Sequence, residues 1–125
     1  MTQIRKSKQR DAILTYLKGR IDHPSAELIY EAVKKDIPNI SLGTVYRNLA
    51  LLDELGEIRT LYVDGGADHF DADMTPHDHF ICRKCKRIQD VPTDEALAEA
   101  PGRVPVKGIV EGMRTYYYGL CEDCM

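Results

Sequence analysis

Apolar residues recur at helical spacing through the first half of the chain and at strand spacing through the second. Ile13, Leu14, Leu17 and Ile21 fall along one face of a helix that Ser7 can cap. After the break "HPS", Ser25 can cap a second helix, "SAELIYEAVKKD", with Leu28, Ile29, Ala32 and Val33 inward. Glu27 sits in its first turn, where the helix dipole favours a negative charge. Pro38 stops it by disfavouring a helical residue before itself. Ser41 opens a third helix, "SLGTVYRNLALLDELG", with Val45, Leu49, Leu52 and Leu55 as its stripe and Gly56 beyond its end. The period then shortens. "EIRTLYV", a glycine turn and "ADHFDAD" read as a hairpin.

Three short helices followed at once by a hairpin is the element order of a winged helix-turn-helix. In that arrangement the third helix reads the DNA major groove. Thr44, Tyr46, Arg47 and Asn48 lie off its apolar stripe near the N-terminal end, and are the expected DNA-facing residues. Beyond about residue 75 the pattern is different. "HFICRKCKRIQDV" reads as two strands around a tight turn, "TDEALAEA" as a short helix capped by Thr93, and "GIVEGMRTYYYGLC" as a strand. The expected class is α+β, with a winged-helix DNA-binding domain over 1–74 and a small αβ domain over 75–125.

Charge supports the DNA reading. The net charge is −3, but residues 1–20 carry six bases (Arg5, Lys6, Lys8, Arg10, Lys18, Arg20) against one acid, Asp11. Residues 61–125 carry seven bases and twelve acids. A basic leading end on an acidic body favours local contact with a polyanion. Arg10, in the first helix, is the expected phosphate contact. No apolar run nears the ~20 residues that span a bilayer, and no apolar segment follows the leading charges, so a cytoplasmic location is expected.

The candidate chemistry is metal binding. Cys82, Cys85, Cys121 and Cys124 form two CxxC pairs. Two such turns place four thiolates around one ion, which fits a closed, structural Zn(II) site. His77 and His79, two apart on an extended segment, project to the same side. Asp90, in the strand after the cysteine turn, can return beside them. His23, between the first two helices, and Asp71, at the end of the hairpin, can reach the same ion across the domain boundary. Imidazole and carboxylate without thiolate suit Fe(II), Mn(II) or Zn(II), and the carboxylates favour the harder ions. No GxSxG, HExxH or phosphate-binding loop is present, and a zinc held by four thiolates has no open position, so an enzyme is not expected.

With these residues in view, "HPSAELIYEAV", "SLGTVYRNLALLDELGEI", "HDHFICRKCKRIQDV" and "YYYGLCEDC" resemble, in order, the blocks of the ferric uptake regulator family of metal-dependent repressors. The resemblance covers nearly the whole chain. It implies a homodimer on double-stranded DNA, with a dimerising second domain, a structural zinc and a regulatory metal between the domains. It is strongest to the peroxide-responsive members. Their regulatory ligands correspond to His23, Asp71, His77, His79 and Asp90, where iron sensors more often carry glutamate for the two aspartates. The implied function is a repressor that responds to hydrogen peroxide through Fe(II)-catalysed oxidation of a histidine ligand. The alternative is a sensor of iron or manganese occupancy alone. "GMRTYYYG" lacks the histidines that many iron sensors carry before the last CxxC, so two metals per chain are expected.

Overall fold

The computed structural model describes residues 7–93, 105–111 and 113–125. Arg5 and Lys6 of the basic leading end, and the helix expected at 94–100, lie outside them. The chain divides into two compact units, Met1–Met74 and Thr75–Met125.

The first unit holds α1 (Lys8–Leu17), α2 (Ala26–Val33), α3 (Leu42–Glu54), β1 (Arg59–Leu61) and β2 (His69–Asp71). Each helix starts at a serine in extended conformation whose hydroxyl accepts a backbone N–H three residues on. Ser41 Oγ, for example, accepts the Thr44 N–H at 3.1 Å. Ser41→Ala should therefore cost about 1 kcal/mol in chemical denaturation. The three helices close on one core with Ile13, Leu17, Ile29, Val33, Val45, Leu49 and Leu52, joined by Ile58 and by Phe70 from β2. β1 and β2 pair antiparallel, with Arg59 opposite Asp71 and Leu61 opposite His69.

Three expected core positions are exposed instead. α1 ends at Leu17, Gly19 turns the chain at φ 78, and Ile21 is 78% exposed. In α2 the buried face is Ala26, Ile29 and Val33, which leaves Leu28 58% exposed. α2 also stops at Val33, five residues short of Pro38, so the proline is not what ends it. Leu55, expected to close the stripe of α3, is the exposed C-cap.

The second unit holds a three-stranded sheet in the order β4-β3-β5, with β3 at His77–Cys82, β4 at Ile88–Pro92 and β5 at Tyr116–Gly119. β3 and β4 run antiparallel around the first CxxC turn, and β5 is parallel to β3. The last strand is shorter than its β-branched and aromatic content suggests: among the described residues of "GIVEGMRTYYYGLC", the strand is Tyr116–Gly119.

Candidate metal centres and DNA-facing helix

The turn from β3 to β4 is built to present sulfur. Cys82 ends β3, Lys86 adopts φ 66, and the Lys86 N–H returns to the Cys82 carbonyl at 2.9 Å. The Arg83 N–H donates to the Gly119 carbonyl at 2.8 Å, which ties this turn to the end of β5. The Cys121–Cys124 turn follows directly, closed by the Cys124 N–H on the Cys121 carbonyl. The sulfurs of Cys82, Cys85, Cys121 and Cys124 consequently lie within 4.8 Å of one another. Cys85 and Cys121 are 3.7 Å apart, matching the ~3.8 Å edge of a tetrahedron with ~2.3 Å Zn–S bonds.

The electrostatics suit a thiolate-binding dication. Backbone N–H groups of Cys85 and then Cys121 draw the Cys82 thiol down to about 5. The hydrogen bond with Cys121, together with burial, pushes Cys124 up to about 12. One sulfur is ready to ionise and another resists until a cation offsets the crowding of like charges. Four sulfurs leave no open position, so the centre fits structural zinc.

Each unit carries histidine and aspartate donors of its own. In the second, register places His79 opposite Asp90, and Asp90 Oδ1 lies 3.5 Å from His79 Nε2 and 3.3 Å from His77 Nε2. The two rings meet edge to face at 4.6 Å. His77 Nδ1 donates to the Thr75 carbonyl at 2.7 Å, which leaves Nε2 as the nitrogen with the lone pair. His79 is buried and Asp90 exposed.

In the first unit, His23 lies between α1 and α2 at φ 47, and its side chain is 1% exposed. Its Nδ1 stands 3.7 Å from Asp71 Oδ2, whose side chain is fully buried. Asp71 Oδ1 accepts the Asp73 N–H at 2.9 Å. All three nitrogen–oxygen separations are ion-pair distances, 3.3–3.7 Å. They are close to the span of two donors that share one ion at ~2.1 Å each. Imidazole and carboxylate without sulfur fit Fe(II) or Mn(II).

On α3, Tyr46 and Arg47 are exposed. The Tyr46 hydroxyl donates to Glu27 of α2 at 2.9 Å, and Arg47 reaches Thr44 Oγ1 at 3.0 Å. Asn48 turns its amide back to the Thr44 carbonyl at 2.9 Å, within its own helix. Arg10 lies on α1, half-buried.

Sequence reasoning passed over His69. It reads as an ordinary hairpin residue, yet its ring sits against His23. The available signal was its spacing of two from Asp71.

The model of the ferric uptake regulator family matches residues 1–110. The peroxide-responsive repressor PerR of Staphylococcus saprophyticus is 34% identical over 123 residues, which is 97% of this chain and 82% of that protein. PerR of Staphylococcus aureus is 33% identical over 129 residues, with the same coverage. Among solved structures, the Campylobacter jejuni peroxide stress regulator superposes with a TM-score of 0.79 at 31% identity, over 93% of this chain and 88% of that one. The Helicobacter pylori ferric uptake regulator, which has three functional metal-binding sites, gives 0.79 at 26% identity, over 97% and 82%. This chain, with its α+β architecture of winged helix and small αβ domain, therefore belongs to the ferric uptake regulator family, a family of DNA-binding transcriptional regulators and not of enzymes.

Proposed function

We propose that this protein is a metal-dependent repressor that senses hydrogen peroxide. The observation that carries the reading is similarity to PerR repressors along 97% of the chain. The donor set agrees with it, because both carboxylate positions are aspartate.

Residues 1–74 form the DNA-binding domain and residues 75–125 the dimerisation domain. Cys82, Cys85, Cys121 and Cys124 hold the structural zinc. His23 and Asp71 supply two donors and His77, His79 and Asp90 supply three. Neither set alone fills the coordination shell of a six-coordinate ion, and together they nearly do. One regulatory ion shared by all five ties the DNA-reading domain to the dimerising domain. The angle between the winged helices of a homodimer is then fixed for successive major grooves. Two metals per chain follow, since "GMRTYYYG" supplies no further histidine before the last CxxC.

Fe(II), when bound, would supply the redox chemistry that splits peroxide, with no net change in the iron over the step. The chain's part is to hold imidazole carbons beside that event and to exclude bulk water from it, as the burial of His23 and His79 does. In the net step, peroxide transfers one oxygen atom to a ring carbon of His23 or His77 and leaves as water. The oxidised ring carries N–H at both nitrogens and no longer has a lone pair to donate. The domains uncouple and the DNA is released. The test is operator binding by the Fe(II) and Mn(II) forms with and without peroxide. Release of the Fe(II) form alone supports the reading. Release only on chelation means a sensor of iron or manganese occupancy.

DNA contact is assigned to Arg10, Thr44, Tyr46, Arg47 and Asn48, with Tyr46 and Arg47 foremost because they are exposed. Replacing Arg10 should weaken binding to all sequences alike and reduce the salt slope by about one, as loss of a phosphate contact does. Replacing Arg47 should instead relax sequence preference, with discrimination reduced by ~1–3 kcal/mol at one position. Binding and salt dependence unchanged in both variants would place the DNA surface elsewhere. No helix among the described residues is long and apolar enough to cross a membrane. A cytoplasmic location accords with work on DNA.

A further inference from the structure

His69 is the one histidine to which the proposed function gives no role, and it touches the residue on which that function depends most. Its Nδ1 lies 2.6 Å from the backbone carbonyl of His23. A carbonyl only accepts, so the His69 ring must donate its N–H there. His69 and Asp71 are two apart on β2 and face the same side. Between them Phe70 faces the other way, into the helical core. One strand thus meets one loop residue twice: Asp71 stands opposite the His23 ring, and His69 holds the His23 carbonyl.

The carbonyl needs holding. His23 is at φ 47, a left-handed conformation that an L side chain adopts only when its surroundings impose it. Two further contacts fasten the same loop to β2. Ser25 bridges to His69, and the Phe70 N–H donates to the Pro24 carbonyl at 3.1 Å. Both of these are set by backbone pairing and would survive a change of the His69 side chain. Of these three backbone fastenings, the His69 hydrogen bond is the one that depends on side-chain identity and lands on the ligand residue itself.

We propose that His69 is a positioning residue for the regulatory metal, fixing through its ring N–H the left-handed turn that aims the His23 imidazole at Asp71. This rests on His23 being a metal ligand, as proposed above. Hydrogen-bonding groups behind a ligand commonly set metal affinity by 10–100-fold when removed. Here the group acts through the ligand's backbone instead of its ring.

The test is Mn(II) affinity of the full, zinc-loaded chain, with thermal melting measured alongside. Mn(II) avoids ligand oxidation during the titration. His69→Asn keeps an N–H donor near the position of Nδ1, whereas His69→Leu has nearly the same size and shape and no donor. The expected result is Mn(II) binding weakened by roughly 10–100-fold in His69→Leu and largely retained in His69→Asn, with zinc content and melting temperature close to the parent in both. Should His69→Leu not fold, His69→Phe, which refills the ring volume without a donor, takes its place. Parent-like affinity in the donorless variant overturns the proposal, and so does equal loss in both variants, which would make packing the cause. His23→Ala separates this failure from that of the underlying reading. If His23→Ala weakens Mn(II) strongly and His69→Leu does not, only the role of His69 is lost. If neither does, the ligand assignment falls with it.

Discussion

Replacing Cys82 or Cys124 with serine will strip the zinc and unfold the Thr75–Met125 unit. The reason is the poverty of that unit's core. Among the described residues, its buried apolar side chains are Ile81, Ile88 and two of the cysteines themselves, Cys82 and Cys121. A three-stranded sheet with so little apolar burial does not stand alone. Zinc binding is then folding free energy, on the order of 10–16 kcal/mol at a thiolate-rich site. Removing one sulfur also leaves the turns of Cys82–Cys85 and Cys121–Cys124 without the ion that joins them. The first unit should be spared, because its core from Ile13 to Phe70 is independent of the cysteines. The measurement is zinc content, circular dichroism and sedimentation of the variant. Helical signal should persist in large part, the sheet of β3, β4 and β5 should be lost, and the dimer should dissociate. A zinc-free variant that keeps its sheet and its dimer would remove the cysteine centre from the structural role given to it.

The features legible in the sequence were those that local chemistry dictates. Ser7, Ser25 and Ser41 announce helix starts because a side-chain oxygen has one good use there, and all three make that hydrogen bond. The CxxC spacing announces a sulfur pair for the same kind of reason, and the four sulfurs do converge. His79 and Asp90 could be paired because a tight turn at Cys82–Cys85 fixes the register of the strands on either side.

What escaped depends on where an element stops or on what another element brings. Ile21 keeps helical phase with Leu17, but phase has no meaning once Gly19 has turned the chain. Leu28 sits beside Ile29 in an eight-residue helix, too short for its sequence to tell the edge of the buried stripe from its centre. Pro38 does not end α2, because the chain has already left the helix at Val33. The spacing of two from Asp71 put His69 on the same face of β2, but its contact with His23, 46 residues away in sequence, needs the return of β2 to the loop before α2.

The Fe(II) form, exposed to stoichiometric peroxide, will gain one oxygen atom on a peptide containing His23 or His77 and will leave the DNA; the Mn(II) form will do neither. The pairing of these two outcomes distinguishes oxidation of a ligand from loss of the metal. His23 and His77 differ in setting. The His23 side chain is 1% exposed and lies against a fully buried carboxylate, whereas the His77 side chain is 10% exposed and shares Asp90 with His79. The His23 ring is shielded from water and the His77 ring lies nearer to it, so oxygen on His23 should be less sensitive to radical scavengers in solution. Four methionines and four cysteines compete for oxygen. Peptide sequencing must therefore place the added atom on histidine. Asp90→Glu provides the internal control. A carboxylate one methylene longer can still reach an ion beside His77 and His79, so metal-dependent DNA binding should persist while oxidation slows. If the Fe(II) form stays unmodified and bound under peroxide, yet releases DNA when iron is chelated, the protein reads iron occupancy and the aspartates at 71 and 90 serve affinity alone.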